Sequence, residues 1–449
     1  MNGVVLPSHD LSDEIEGSGS LADRQWSAER SAAGVPQPGS GAADAIGPWS
    51  RRMEARAGTR LRKPMARRLR LLGIRLLDFL RLAWYAPRLA PRVARQFGVP
   101  IGAQIAAQWR MAFEDGIDPT IYYLEELYKP GLLAKVDQYF LRREVKGDLL
   151  GQLHRLQPPA SDRRINLGDK MQLFAWCERA GLSHAAPVML IEDGQPVWQA
   201  PNLLDLDQDL FVKPRVGRGA TGVSLYRRTA AFQYVDGSGR KLRLGEIVSD
   251  VIRRSGTRPM MVLPRLRNHP AIADMATESL ITVRAVTCLN EELQPELVVA
   301  YLRVLAKLEP DWPTKKPISE YAAAVDLETG RLDAMTGDKP ECLSQWHERH
   351  PVTGVTVVGR AVPGWDQVVA LVERAHRVVS DRVLVGWDVA ITPEGPVLLE
   401  GNSYPDVHYP QRIHRMPYGE MRIGALLRFH MARLEAKWND ETRPAARRR

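Results

Sequence analysis

Residues 386–402 read GWDVAITPEGPVLLEGN, and this pattern predicts two short strands joined by a turn. The proline, glutamate and glycine at positions 393–395 supply the turn chemistry. With a loop of those three residues, Asp388 lies opposite Glu400, and Asn402 shares their face, because side chains alternate along a strand. The sequence therefore predicts a hairpin that gathers three oxygen-bearing side chains on one face.

The other face of this hairpin is apolar. The same loop length pairs Val389 with Leu399 and Ile391 with Val397, so this face can pack on a core. A loop of four residues would instead put the two acids on opposite faces and remove the argument. The prediction therefore depends on the register of the hairpin.

The chemistry of the polar face suggests a metal. Opposed side chains in a hairpin have Cβ atoms about 5 Å apart, and two carboxylates that close repel unless a proton or cation lies between them. Oxygen atoms from Asp, Glu and Asn suit Mg²⁺. We interpret Asp388, Glu400 and Asn402 as a magnesium site; the alternative is an ordinary hairpin with solvated acids.

Composition indicates a globular protein of two or three domains, since 44% of the 449 residues are apolar and 26% are charged. The three cysteines are far apart, which argues against disulfides and zinc and fits a reducing compartment. Neither a secretory signal nor a run of about 18 uncharged apolar residues is evident. We expect a cytoplasmic location. Nothing in the sequence indicates an oligomeric state.

The N-terminal part differs from the rest. Residues 1–60 are rich in Gly, Ser, Ala and Pro, which predicts a disordered arm. Residues 51–95 hold thirteen arginines against two acids, more positive charge than the net +9 of the whole chain. Without a binding motif or stacking aromatics, this charge does not indicate nucleic acid.

Residues 61–160 are expected to be helical. An amphipathic helix is predicted from Met65 to Pro87, and its apolar face either docks on the protein's own core, which we favour, or lies on an anionic membrane. The second alternative gives peripheral membrane contact through residues 65–95, at the inner face of the membrane. Further helices are predicted at 100–114, 119–129 and 131–145.

A glycine-rich segment, residues 211–227, reads FVKPRVGRGATGVSLYR. It predicts a strand ending in Lys213, a loop with glycines 217, 219 and 222, and a second strand. Glycines let backbone N–H groups converge on an anion, and basic side chains add charge, so the loop is a candidate lid over phosphates. No helix follows it, which excludes a P-loop.

Other elements follow from periodicity and turn residues. Predicted strands lie at 187–192, 196–198, 259–264, 279–289, 297–305, 321–326 and 331–335, and predicted helices at 171–180, 367–382 and 413–438. Among single residues, we favour a loop cap for His269, a surface loop for His347 and His350, and packing for Trp387.

The order of these elements resembles the ATP-grasp layout, and most closely the sugar-transfer-associated ATP-grasp proteins. The matching motifs, within about residues 160–430, are Phe211-Val-Lys-Pro, Asn268-His-Pro, Thr282-Val-Arg and Leu399-Glu-Gly-Asn. The resemblance implies an α+β fold of two lobes that clamp ATP. The N-terminal lobe would span 161–265, the C-terminal lobe 266–436, and a charged tail 437–449.

The resemblance also implies residue roles. Lys170 and Lys213 would contact the ATP phosphates, and Arg284 would stabilise the transferring phosphoryl group, so Lys213 and Arg284 would be catalytic. Gly217, Gly219 and Gly222 would close over the phosphates, Met261, Val262 and Leu263 would line the adenine pocket, and Asp388, Glu400 and Asn402 would hold one or two Mg²⁺ ions. The sequence departs from the family at the hinge, where Pro264 and Arg265 replace an acid.

The implied activity is a Mg²⁺- and ATP-dependent ligase that joins a small-molecule carboxylate to an amine through an acylphosphate. By resemblance it would act in polysaccharide or cell-surface sugar metabolism. The alternatives are a kinase that phosphorylates a hydroxyl, such as one on a sugar, and a nucleotide-binding scaffold. A kinase could share the phosphate and metal sites, so these residues do not separate the three.

Overall fold

The computed structural model describes residues 64–141, 149–158, 165–200, 208–216, 222–276, 279–305 and 320–442. The predicted disordered arm lies outside these residues, as do Gly217 and Gly219 of the predicted lid and the end of the charged tail. Together the described residues belong to one compact unit.

The N-terminal region is helical, as predicted. Its elements are α1 Pro64–Phe97, α2 Ile101–Phe113, α3 Ile121–Leu124, a 3-10 helix Leu133–Gln138 and α4 Leu149–His154. The first helix runs past its predicted end at Pro87 because Leu89 and Val93 are buried in a helical core beyond it. That packing outweighs the hydrogen bond that a proline removes. No described helix is long and apolar enough to cross a membrane.

The helix predicted at 119–129 is reduced to the single turn of α3. Glu126 adopts a positive φ of 55°, which a right-handed helix cannot contain. The neighbouring tyrosines, Tyr122, Tyr123 and Tyr128, are nevertheless buried in the helical core. This segment therefore packs into the helical core, but the prediction of a continuous helix is wrong.

The first sheet has seven antiparallel strands in the order β2-β1-β7-β3-β4-β5-β6. They are β1 Met189–Glu192, β2 Gln195–Gln199, β3 Leu210–Pro214, β4 Ser224–Ala230, β5 Gln233–Asp236, β6 Lys241–Arg243 and β7 Met260–Pro264. Helix α6, Leu244–Ser255, covers one face, where its Ile247 and Val251 pack with Val212 and Val262. The other face is left for the site.

The second sheet has six antiparallel strands in the order β11-β10-β9-β8-β12-β13. They are β8 Thr282–Leu289, β9 Pro295–Leu305, β10 Glu320–Val325, β11 Leu332–Gly337, β12 Leu384–Thr392 and β13 Gly395–Asn402. Helices α5 Lys170–Arg179 and α8 Trp365–Val378 share a core with one face, and α9 His408–His414 and α10 Arg422–Thr442 with part of the other. A short helix α7, Pro270–Ala273, follows β7. The predicted α+β fold with two sheets is confirmed.

One predicted helix differs from the structure, and α5 packs mainly on the second sheet. The helix expected at 413–438 is two helices, because Pro417 begins a 3-10 turn at Tyr418–Glu420. Leu167, Leu173 and Cys177, which lie in the segment predicted for the first lobe, are buried in the core of the second sheet. Helix α5 thus shares the core of the second sheet, and its Met171 and Phe174 also contact the first sheet, where the Phe174 ring lies 5.9 Å from the Trp198 ring.

Candidate active site

In the hairpin β12–β13, Asp388 pairs with Glu400 as predicted, but the turn length and strand register that produce this pairing differ from those predicted. Its turn contains two residues rather than three, because Thr392 pairs with Gly395. A regular ladder from that turn would set Asp388 opposite Leu399. A β-bulge between Val389 and Asp388 inserts Leu399 as an extra residue and restores the pairing.

The two-residue turn shifts the apolar pairs between the turn and the bulge by one residue from those predicted. Val389 pairs with Leu398, not Leu399, and Ile391 pairs with Pro396, not Val397. On β12 the predicted core face is confirmed, because Val389 and Ile391 are buried in the core under α8. On β13 it is wrong, because Leu398 lies in that core, whereas Leu399 and Val397 are only partly buried. The polar face is therefore free to face the first sheet.

A row of charged side chains crosses this face of the second sheet. Strand pairing puts Glu400 beside Asp388 and Asp388 beside Arg284, and the row continues to Arg303 on β9 and Glu320 on β10. Arg284 Nη2 donates to Asp388 Oδ2 at 2.9 Å, and Arg284 Nε donates to Oδ1. Arg303 Nη1 also reaches Oδ1, at 3.3 Å, and its Nε and Nη2 bind Glu320 at 3.1 and 2.7 Å.

These ion pairs set the ionisation of the row. Burial would raise the pKa of Asp388, but the adjacent Arg284 and Arg303 outweigh it and hold that pKa below its ordinary value. Burial likewise opposes the charge on Arg303, whereas Glu320 and Asp388 raise its pKa. The pairs thus favour the charged forms of Asp388 and Arg303, and Arg284 Nη1 has no acceptor among the described residues.

Two lysines face this row from the other side. Burial and the neighbouring charge of Lys170 lower the pKa of Lys213 to about 8, while Glu400 and Asp388 act against that shift. Lys213 is the fourth residue of β3, and Lys170 is the first residue of α5. The structure thus brings Lys213 into the electrostatic environment of Lys170 and of two predicted metal ligands, Asp388 and Glu400.

A salt-bridge cluster sets the position of the lysines. Asp169 caps helix α5 by accepting from the backbone of Met171, and it also binds Arg215 Nη2 at 2.7 Å. Arg215 immediately follows β3 and pairs with Glu192 on β1 as well. Because Lys170 directly follows Asp169 and Lys213 lies two residues before Arg215, the cluster joins the two backbone segments that carry the lysines.

The three residues predicted to line the adenine pocket point to different faces of the first sheet, because side chains alternate along β7. Met261 pairs with Lys213 across β3 and β7 and therefore shares its face, and Leu263 lies two residues on. Both are buried with Leu190 in a small apolar cluster. Val262 turns its side chain the other way, into the core under α6, so only its backbone borders the site face.

Of the three glycines in the predicted lid, Gly222 belongs to the described residues. Its φ of 80° lies in the region that favours glycine, and a Cβ there would collide with the Arg258 guanidinium. Arg254 Nη1 also donates to Ser224 Oγ at 3.0 Å. Two arginines therefore lie close to the C-terminal end of the loop.

The hinge residues have structural partners. Arg265, which stands where the family often has an acid, pairs with Asp209 at 3.0 Å. The Asn268 side chain bridges Ser279 O and Ile281 N, and His269 Nδ1 accepts from Ala271 N at the start of α7. The predicted loop cap at His269 is confirmed.

The tryptophan and histidine side chains considered in the sequence lie away from the charged row. Trp387 is fully buried and donates to Thr287 Oγ1 at 2.9 Å, which confirms the packing role. A surface loop is wrong for His350, which is 1% exposed beside the Tyr321 ring. No group of three or more His, Cys, Asp or Glu side chains in the described ranges could hold a metal.

The donor set on the hairpin fits a magnesium ion chemically. Glu400 and Asn402 are partly exposed, and among the described residues neither side chain has a hydrogen-bond partner. Asp388 adds a third oxygen donor, although guanidinium groups already occupy much of its carboxylate. Two carboxylates and an amide match the hard oxygen ligands that Mg²⁺ prefers, with room left for water and phosphate oxygens.

Comparison with known proteins identifies the family. The sequence pattern of the sugar-transfer associated ATP-grasp family matches residues 154–420, more than half of the 449-residue chain. The chain belongs to this ATP-grasp family. The match includes both sheets, the lysine pair and the hairpin. No curated protein matches the chain.

Solved structures similar to this ATP-grasp protein include the ATP-grasp ligase PsnB complexed with minimal precursor, at 16% identity and a TM-score of 0.33. That alignment covers 58% of this chain and 60% of PsnB, so the chain spans about three fifths of PsnB. The D-alanine–D-alanine ligase from Bacillus anthracis complexed with ATP is 10% identical, with 61% of this chain and 68% of the ligase covered and a TM-score of 0.36.

Sequence reasoning missed Arg303 and Glu320. The sequence assigns Arg303 only to a predicted strand, and Glu320 directly precedes the next one. A signal was available, because an arginine among buried apolar strand residues needs an acidic partner. Glu320 opens the next strand and supplies that partner.

Proposed function

We propose that this ATP-grasp protein is a Mg²⁺- and ATP-dependent ligase that activates a carboxylate as an acylphosphate for attack by an amine. The observation that carries the proposal is the common environment of Lys170 and Lys213 with Asp388 and Glu400. Cationic side chains suit the phosphates of a nucleotide, and oxygen donors opposite them suit the metal that accompanies it.

Each part of the nucleotide has a counterpart in the site. Lys170 and Lys213 bind the phosphates, and Gly217, Gly219 and Gly222 cover them. Met261 and Leu263 offer an apolar surface to the base. Asp388, Glu400 and Asn402 hold Mg²⁺, which neutralises phosphate charge when bound. Ribose has no acidic partner at Arg265, so its hydroxyls are bound elsewhere.

The charged row supports phosphoryl transfer. An oxygen of the substrate carboxylate attacks the γ-phosphorus, forming a P–O bond as the bond to ADP breaks. Asp388 holds Arg284 by Nε and Nη2, which leaves Nη1 for an oxygen of the transferring group. Arg303 binds the same carboxylate and thereby positions it. A preorganised donor of this kind contributes about 3–4 kcal/mol to lowering the barrier.

The second half-reaction forms the amide. The amine nitrogen attacks the acyl carbon, the C–N bond forms, and the C–O bond to phosphate breaks, so inorganic phosphate is released and the amine loses a proton. The family description connects such proteins with sugar transfer. We therefore place the acid or the amine on a sugar or sugar precursor, in polysaccharide or cell-surface sugar metabolism.

The test separates a ligase from the two alternatives. The protein is incubated with Mg²⁺, ATP, hydroxylamine as the amine, and a panel of amino acids and sugar acids. A ligase forms a hydroxamate and releases equal amounts of ADP and inorganic phosphate. A kinase leaves the phosphate on a hydroxyl, so ADP without inorganic phosphate would refute the proposal. Nucleotide binding with no ADP formed from any acid and amine would refute it too, in favour of a scaffold.

A further inference from the structure

Helix α1 has an apolar face that the rest of the described protein leaves exposed. Leu72, Leu76, Phe79 and Leu80 follow helical spacing and are 67%, 60%, 48% and 54% exposed. Trp84 continues the stripe at 56%. The sequence favoured docking of this face on the protein's own core, and among the described residues that docking is not seen.

The docked side of α1 is a different one. Asp78, Leu89 and Val93 are buried, and Leu89 and Val93 belong to the helical core. Asp78 is the only acid between Leu72 and Phe97, and it lies 3.7 Å from Arg81. Arg81 also pairs with Asp118, which ties the helix to the loop before α3. The helix is thus anchored by one side, and the leucine face points away from it.

Charge around the exposed face has one sign. Arg75 precedes Leu76 on one edge of the stripe, and Arg88 stacks on the Trp84 ring at 3.7 Å on the other edge. Arg75, Arg88 and Arg95 are exposed, and none of them pairs with a carboxylate of a described residue. A basic border around leucine, phenylalanine and tryptophan is typical of helices that lie in a membrane interface.

We propose that α1 binds the surface of an anionic lipid bilayer through Leu72, Leu76, Phe79, Leu80 and Trp84, with Arg75 and Arg88 contacting lipid phosphates. The positive charge around this face favours an anionic bilayer over a second copy of the protein. A second copy would bring two arginine-bordered faces of the same sign together, whereas anionic headgroups neutralise them. The attachment would hold the ATP-grasp lobes beside a membrane and does not depend on the proposed ligase activity.

The experiment is co-sedimentation of the full-length chain with sucrose-loaded vesicles. Phosphatidylcholine vesicles with about one quarter phosphatidylglycerol are compared with pure phosphatidylcholine vesicles. We expect binding to the anionic vesicles that weakens with salt. The double variant Leu76→Gln, Phe79→Gln should lower this binding by at least about tenfold. Val352→Gln, which alters another exposed apolar side chain, should leave it unchanged.

A second pair of variants tests the charges. Arg75→Gln with Arg88→Gln should abolish the preference for anionic vesicles, and Arg253→Gln, on the exposed side of α6, should not. ATP affinity should be equal in all variants, which also controls for folding. Absence of wild-type vesicle binding, or full binding by the Leu76, Phe79 double variant, would overturn the proposal. A wild-type dimer that this double variant converts to monomer, without vesicle binding, would assign the face to a second copy instead.

Discussion

Lys213 makes the strongest quantitative prediction for nucleotide binding. Its pKa of about 8 lies well below the ordinary 10.5, because burial and Lys170 disfavour its charge. A bound phosphate favours the charged form, so ATP affinity is highest below that pKa and falls as pH rises through it. Between pH 7 and pH 9 the protonated fraction of the free protein falls about tenfold, and ATP affinity should fall by about the same factor.

Calorimetric titration of ATP in the presence of Mg²⁺, across this pH range, measures the effect. Adenosine is the ligand control, since it lacks phosphates and should bind with the same affinity at every pH. Lys213→Arg is the protein control, because a guanidinium stays charged and should remove the dependence. An ATP affinity that stays constant from pH 7 to pH 9 in the wild type would refute this role of Lys213.

Three further predictions concern the charged row and its hairpin. Asp388→Asn should lower the free energy of unfolding by about 3–5 kcal/mol, measured by urea denaturation, because Arg284 loses its buried counter-charge and Arg303 loses one of its two acidic partners. Because the pKa of Asp388 is lowered in the folded protein, its charge stabilises the fold at pH values above the ordinary pKa of 3.8, and this stabilisation is lost as pH falls below 3.8. Acid unfolding of Asp388→Asn should therefore be less steep in that range. Gly386→Ala should cost about 1–3 kcal/mol in thermal or urea unfolding, because its Cβ would come within 2.8 Å of Pro405 Cβ and 3.7 Å of Arg284 Cδ; wild-type stability in either variant would contradict the packing described.

The hairpin illustrates what a sequence can and cannot give. Alternation and turn residues were enough to predict the opposition of Asp388 and Glu400, because both lie on a short ladder with one apolar face. The prediction assumed a three-residue loop, whereas the protein uses a two-residue turn and a bulge at Leu399. The two errors cancel at the site, and only the pairs between bulge and turn are displaced.

Most of the features that the sequence did not predict depend on contacts between residues far apart in the chain. Arg303 and Glu320 are 17 residues apart and pair through strand neighbours that sequence periodicity does not reveal. The favoured docking of the α1 leucine face on the core is not seen among the described residues, for a similar reason. Its amphipathic pattern was evident, but burial of Leu89 and Val93, further along the helix, decides which side docks. Local pattern predicts an apolar face and does not identify what covers it.

The most direct test of a shared nucleotide and metal site is ATP binding with and without Mg²⁺ in wild type and Glu400→Gln. We expect Mg²⁺ to strengthen ATP binding in the wild type and to have little effect in Glu400→Gln. Glu394→Gln is the matched control, since it removes an exposed carboxylate from the turn of the same hairpin and should behave as the wild type. An equal response to Mg²⁺ in wild type and Glu400→Gln would contradict a metal site on the hairpin.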